Sequence, residues 1–289
     1  MATKHNGYDD RYLVVQDGLQ LHYRDYRGST DRPPVLCLHG LTRNARDSAE
    51  LADRLSPRFR VIALDFRGRG DSDFDPDPTR YNALVYANDT IQLLDELDID
   101  QAIFVGTSLG GLVTMLIATT SPQRIAGAIL NDVGPELDAA GLDRIKSYVG
   151  KDLRFANWDE AADVIAANNG NLPASNTHAD WVKAARRSCR EEASQIRYDY
   201  DMAIANAFSA VNSSAKVDLW PMFGALAQKP LLIVRGEKSD LLAPAAFERM
   251  KGVGPTTRSE VVPGAGHAPT LSEPEAIAAV DAFLAGIAP

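Results

Sequence analysis

Residues 103–113, IFVGTSLGGLV, set a Thr-Ser pair between glycine positions with apolar residues on both sides. Ile103, Phe104 and Val105 form a short β-rich run, whereas Leu109, Leu112, Val113, Leu116 and Ile117 recur at helical spacing. The serine therefore falls where a strand turns directly into a helix. Gly106-Thr107-Ser108-Leu109-Gly110 reads G-x-S-x-G, which on such a corner forces the serine into an unusual backbone conformation with its hydroxyl above the sheet. The Leu109 N–H then stands at a helix N-terminus, where unpaired donors and the dipole favour negative charge. A glycine-rich turn whose serine only caps a helix gives the same local pattern. Partners elsewhere in the chain decide between the two.

The strands on either side of this corner set the fold class. LVVQ and LQLHYRDY flank Asp17-Gly18, a hairpin signal. Apolar runs follow at 34–40, 60–66, 102–106, 125–132, 230–236 and 258–264, separated by helical patterns around 44–55, 81–97, 109–120 and 273–287. In the last helix, Ser272 and Glu275 have capping-box spacing. The alternation predicts an α/β fold, with a mostly parallel eight-stranded sheet flanked by helices. Between Asp132 and Pro230 the rhythm breaks, with helix signals and no convincing strand. Asn157 and Glu160 have capping-box spacing ahead of Trp158, Ala161, Ala162 and Ile165, and Ile204, Ala207, Phe208 and Val211 repeat the helical spacing. Residues 1–133 and 229–289 are thus expected to form the core domain, and 134–228 a helical cap inserted before the penultimate strand. Trp158, Trp181 and Trp220 all lie in this insertion, as cap core or as substrate contacts.

In an open α/β sheet, ligands bind beyond the carboxyl ends of the strands. Serine is a poor nucleophile at neutral pH and needs a base near pKa 7. Of the five histidines, only His39 and His267 follow strands directly, and His267 sits on the tight loop Gly264-Ala265-Gly266. His267 is the expected base. An acid must orient its imidazole, and Asp240, after the penultimate strand, is the first candidate. Asp132 and Glu237 also stand at strand exits, Asp132 being the stronger rival. The Leu41 N–H beside Gly40 pairs with the Leu109 N–H as a two-donor oxyanion hole. His39 is expected to brace that loop and, with Trp158 and Trp181, to border the substrate. Arg186, Arg187 and Arg190 suit either carboxylate recognition or a solvated helix face.

LHGL (38–41), DFRGRGDS (65–72), VGTSLGG (105–111), RGEKSD (235–240) and GAGH (264–267) together resemble the α/β-hydrolase superfamily from the Asp17-Gly18 hairpin onward. The order Ser108, Asp240, His267 is the chain order of those enzymes. The resemblance implies a serine hydrolase of the esterase-like branch, acting on a small or medium ester through an acyl-enzyme, with no metal or organic cofactor. It makes the D-x-R-G-x-G-x-S stretch a structural loop near the site. Serine in place of aspartate at 108 argues against haloalkane dehalogenases and epoxide hydrolases. The residues HGLTR at 39–43 lack HGGG and HGGPG, which weakens lipase-like and iminopeptidase-like readings. Carbon–carbon bond hydrolases, lactonases, amidases, cofactor-free dioxygenases and hydrolase-derived receptors share the scaffold.

Composition narrows the setting. The chain has 289 residues, 45% hydrophobic and 24% charged, with a formal net charge of −9. That balance argues against nucleic acid or an anionic membrane as partner. The N-terminus has no apolar signal-like run, and the isolated cysteines, Cys37 and Cys189, fit a reducing compartment, so cytoplasm is expected. Oligomeric state is not encoded in any of these features.

Overall fold

A computed structural model describes residues 4–5, 7–168, 176–206 and 217–287. Its strands are β1 (Lys4–His5), β2 (Tyr8–Val14), β3 (Gln20–Tyr26), β4 (Val35–Leu38), β5 (Val61–Leu64), β6 (Ala102–Thr107), β7 (Ile125–Asn131), β8 (Arg154–Phe155), β9 (Cys189–Glu192), β10 (Gln195–Tyr198), β11 (Leu231–Gly236) and β12 (Thr257–Val262). The helices are α1 (Ala49–Leu55), α2 (Ala83–Glu96), α3 (Leu109–Thr120), α4 (Ala139–Tyr148), α5 (Trp158–Asn168), α6 (His178–Ser188), α7 (Trp220–Leu226), α8 (Pro244–Lys251) and α9 (Pro274–Ala285).

The main sheet runs in the order β1-β2-β3-β5-β4-β6-β7-β11-β12. It contains the eight expected strands and the two-residue β1 at one edge. From β5 to β12 every pairing is parallel, and β1, β2 and β3 join antiparallel. Two separate cores follow from the period of two along each strand. Leu36, Leu38, Phe104, Ala128, Leu130, Leu231 and Ile233 face the side covered by α2, α3 and α7. Val35, Cys37, Ile103, Val105, Ile129, Leu232 and Val234 face the other, under α1 and α9. Strands buried on both faces need apolar residues at nearly every position, which is why they appear as unbroken apolar runs.

The interval after β7 departs from expectation. It holds α4, α5 and α6, but also a three-stranded antiparallel sheet, β8-β10-β9. The β9–β10 turn uses Ala193 and Ser194, both at positive φ (49° and 65°). Such turns usually carry Asn or Gly, so Ala-Ser leaves no hairpin signature. Helix α7 falls within the expected insertion, yet Phe223 and Leu226 are buried in the same core as α3. That core runs without interruption into Phe155, Ala161, Ile165, Ala185 and Ile196 of the interval.

Local caps also sort themselves. Asn157 accepts the Glu160 N–H at 2.9 Å, and the Glu160 carboxylate reaches back to the Ala156 N–H at 2.7 Å. Ser272 and Glu275 form no capping box, because Pro274 opens α9 and makes Glu273 the N-cap residue. Ser272 instead donates to Glu50 at 2.8 Å. Ile204 is buried; Ala207, Phe208 and Val211 lie outside the described residues.

Candidate active site

Ser108 occupies the corner between β6 and α3 with φ 50° and ψ −115°. Close approach of strand and helix keeps it there. A Cβ on Gly110 would lie 2.0 Å from the Leu38 carbonyl oxygen, and one on Gly106 would lie 2.6 Å from the Gly110 backbone. Any side chain at either position would push the helix off the sheet. The Ser108 N–H donates to the Asn131 carbonyl at 3.1 Å, extending the ladder into the turn.

His267 lies against this hydroxyl, with Nε2 3.0 Å from Ser108 Oγ. Its Nδ1 is 2.7 Å from Asp132 Oδ2. A carboxylate only accepts, so the neutral ring carries its proton on Nδ1 and offers Nε2 to the serine proton. Asp132 is completely buried at the end of β7, with φ 57°. Its Oδ1 accepts the Gly236 N–H at 2.8 Å, and its Oδ2 also accepts the Ser239 hydroxyl at 2.6 Å. Hydroxyl, imidazole and buried carboxylate thus form one chain of hydrogen bonds, an arrangement able to move a proton off a serine hydroxyl and stabilise an imidazolium.

Asp240, the first-choice acid, is therefore displaced by Asp132. The loop after β11 curls around the buried Arg235 guanidinium, which donates to the carbonyls of Leu242, Glu237 and Ser239. This brings Ser239, not Asp240, to the histidine's acid. Asp240 faces away to Arg144, bound through two contacts at 2.5 and 2.9 Å, and that guanidinium holds its carboxyl below the usual range. Glu237 takes a loop role instead, accepting the Gly264 N–H at 2.7 Å.

The expected oxyanion donors flank the serine. As the first residue of α3, Leu109 has its N–H beyond reach of any intrahelical acceptor. Leu41 follows Gly40 on the loop after β4, and its carbonyl accepts from Arg69 Nε at 2.9 Å. His39 Nε2 accepts the Phe66 N–H at 3.0 Å, so its Nδ1 carries the proton and donates to the Gly40 carbonyl at 2.7 Å. Burial pushes the His39 pKa down to about 4. His39 is a neutral brace of the loop that carries Leu41, with neither nitrogen free to act as a base.

A cavity of about 340 Å³ adjoins Ser108 and His267, bordered further out by Arg43, Tyr148, Trp181, Lys183, Arg187 and Tyr198. Trp181 meets the expectation of a cavity contact by position. Trp158 does not border this cavity; it lies under the Arg186 guanidinium, 4.5 Å from the ring centroid. Trp220 sits beside Phe223 and donates from Nε1 to Glu136 at 2.8 Å.

Some supporting residues escape sequence reasoning. Ser239 orients Asp132. Asn131 donates to the Pro269 carbonyl at 2.8 Å and so ties the His267 loop to the serine corner. Arg69, fully buried, fixes the oxyanion loop. Arg69 had a signal in its place within DFRGRGDS, and Ser239 in its place within RGEKSD. That stretch is a structural loop here: Asp65 accepts the Ala45 and Asp71 N–H groups, and Arg67 binds Asp17, Asp75 and Asp89. His22, Asp65 and Asp71 bring potential metal-ligating atoms together, but both His22 nitrogens are engaged with carboxylates, Asp65 at 2.7 Å and Asp10 at 2.9 Å.

Residues 35–280 match the family model described as "Alpha/beta hydrolase family". The chain belongs to the alpha/beta hydrolase family. The hydrolase is 32% identical to a 3-hydroxybutyrate-oligomer hydrolase from Cupriavidus necator, over 92% of this chain and 94% of the relative. It is also 32% identical to 2-(acetamidomethylene)succinate hydrolase from Mesorhizobium japonicum, over 84% of each. Its structure is similar to a crystal structure of an alpha/beta hydrolase from Novosphingobium aromaticivorans, with a TM-score of 0.93 and 45% identity over 98% of this chain and 99% of that one. Among the described residues, no helix of the hydrolase is long and apolar enough to cross a membrane.

Proposed function

We propose that this hydrolase cleaves small or medium carboxylic esters through an acyl-enzyme on Ser108. The observation that carries this reading is the chain from Ser108 Oγ through His267 to the buried Asp132 carboxylate. His267 Nε2 takes the hydroxyl proton as Oγ attacks the ester carbonyl. The carbonyl oxygen becomes an oxyanion held by the Leu41 and Leu109 N–H groups. Collapse of the tetrahedral species expels the alcohol, which takes the proton from the imidazolium. Water, deprotonated by the same nitrogen, then attacks the acyl-enzyme and releases the acid and free Ser108. Asp132 fixes the ring tautomer and stabilises the imidazolium throughout. The steps draw on protein groups and water alone.

Residues between β7 and β11 serve in this reading as the cap, with Trp181 and Tyr198 bordering the substrate. The Cupriavidus necator relative is named for hydrolysing oligomers of a hydroxy acid, and such oligomers are joined by ester bonds, which supports an ester as the substrate. Two buried free thiols, Cys37 and Cys189, fit the cytoplasm. The test is a panel of p-nitrophenyl and methyl esters of graded acyl length, assayed beside ring-fission dienones. Turnover of esters with the dienones untouched is the expected result. Cleavage of the dienones alone would replace this reading with carbon–carbon bond hydrolysis.

A further inference from the structure

Three arginines close together at the end of α6 and the start of β9 have different fates. Arg186 is exposed and stacks on Trp158. Arg190 is consumed by Asp199 at 2.5 Å, Asp71 at 2.9 Å and the Gly70 carbonyl at 2.7 Å. Arg187 turns into the wall of the cavity that contains Ser108. Its side chain is only 19% exposed, and its one ion pair among the described residues is a long 3.4 Å contact from Nη1 to Glu50. Its Nε is buried, with no hydrogen-bond partner among the described residues. A guanidinium at a cavity wall keeps its charge, and a charge-assisted partner of opposite sign satisfies it best.

The backbone holds that guanidinium in position. The Arg187 carbonyl accepts from Asn44 Nδ2 at 2.9 Å and from Arg46 Nε at 3.1 Å. Both donors belong to the loop after β4, the same loop that presents Leu41. The neighbouring carboxylates are already occupied. Asp47 is bound twice by Arg43, each contact at 2.5 Å. Glu50 is taken by Lys183 at 2.5 Å and by the Ser272 hydroxyl at 2.8 Å. A planar carboxylate suits the two terminal nitrogens of a guanidinium, where two parallel N–H bonds form. With Asp47 and Glu50 close by, a single negative charge suits the wall better than a doubly charged phosphate.

We infer that the ester cleaved at Ser108 carries a second, free carboxylate, and that Arg187 is the specificity-determining residue that binds it. This deepens the ester-hydrolase reading and rests on it. The experiment compares monomethyl esters of straight-chain dicarboxylic acids with methyl alkanoates of matched length, and acetoxyalkanoates with their methyl esters. The first pair places the carboxylate on the acyl side and the second on the alcohol side. In one arm, one length should exceed its neutral counterpart by at least about tenfold in kcat/KM, the scale of a charge-assisted hydrogen bond. Arg187→Gln should collapse that ratio toward one, chiefly through KM, and Arg187→Lys should restore part of it. Arg186→Gln, nearby on the same helix, should leave the ratio intact.

No preference for a charged ester in either arm would overturn the inference. So would an Arg187→Gln variant that slows charged and neutral esters equally, the pattern of a merely structural residue. Binding is scored separately, by calorimetric titration of Ser108→Ala protein with the charged esters, with and without Arg187→Gln. If no ester is hydrolysed at all, the esterase reading falls, and the titration alone decides the role of Arg187.

Discussion

On the sheet side of the cavity, Ser108 and Asp132 stand on backbone that ladder pairing leaves little room to move, and His267 stands on the loop after β12. On the opposite side, Trp181, Lys183 and Arg187 stand on a helix tied down through side chains. The Ser108 and Asp132 N–H groups continue the parallel ladder to Asn131 and Val234, at 3.1 and 2.8 Å. The segment 199–201 meets the loop 65–72 in one short antiparallel bridge, with Gly70 N–H on the Asp199 carbonyl at 3.1 Å and Asp201 N–H on the Gly68 carbonyl at 2.8 Å, and side chains make its other ties. Asp199, 1% exposed, pairs with Arg46 and Arg190, and the Tyr81 hydroxyl donates to Asp201 at 2.6 Å. Proton transfer tolerates little displacement, and regular strands supply that rigidity. A cavity wall tolerates more variation, and one short bridge with side-chain ties permits it.

The largest expected effect lies on the rigid side. Asp132→Asn should lower kcat by about 10⁴, the loss seen when a triad imidazole takes the wrong tautomer. Asp240→Asn should cost far less, since it breaks only the contact with Arg144. Steady-state rates on one ester compare them, and a crippled Asp240→Asn with a healthy Asp132→Asn would return the acid to the loop after β11.

Next comes the covering segment. Asp199→Ala leaves two arginines without their buried counter-charge and should cost about 3–5 kcal/mol. Thermal melting reads the loss, and the ranking of ester substrates should shift with it. An unchanged Tm together with an unchanged ranking would mean that these ties do not hold the wall.

How much of this could be read from the chain follows the same division. The strand runs, the serine corner and His267 were legible because a doubly buried strand and a tight turn each impose their residue types locally. Asp132 was visible as a rival but not as the choice. What selects it is the curl of the loop around Arg235, a long-range contact with no local pattern. The β8-β10-β9 sheet was missed because its turn residues are Ala193 and Ser194, and its strands, RF, CREE and QIRY, are too short to show a sustained alternation. Arg187 could not be separated from Arg186 and Arg190 by spacing, since only the fold decides which of them finds a partner.

The smallest effect concerns His39, which joins the rigid corner to the oxyanion loop. Burial lowers its pKa from the ordinary 6.5 to about 4, so the unfolded chain binds this proton at a higher pH than the native one. Stability is then full above about pH 6.5 and lost as pH falls toward 4, by up to ~3 kcal/mol. His22 has the opposite sign. Burial lowers its pKa, but the bond and charge of Asp65 raise it above its ordinary value overall. Its contribution is complete below about pH 6.5 and is lost only as pH rises, so it is flat across the acid window. Urea midpoints at pH 7 and pH 5 should therefore differ, and His39→Asn should flatten the difference. An unaltered slope would mean that His39 is not held neutral.

Covalent labelling of Ser108 tests the central claim most directly. A fluorophosphonate should react once per chain, and peptide mapping by mass spectrometry should place the adduct on Ser108. Ser108→Ala protein, folded by circular dichroism, should take no label and hydrolyse no ester. Ester turnover that survives in Ser108→Ala, or an adduct mapped elsewhere in a fully inactivated enzyme, would contradict the account.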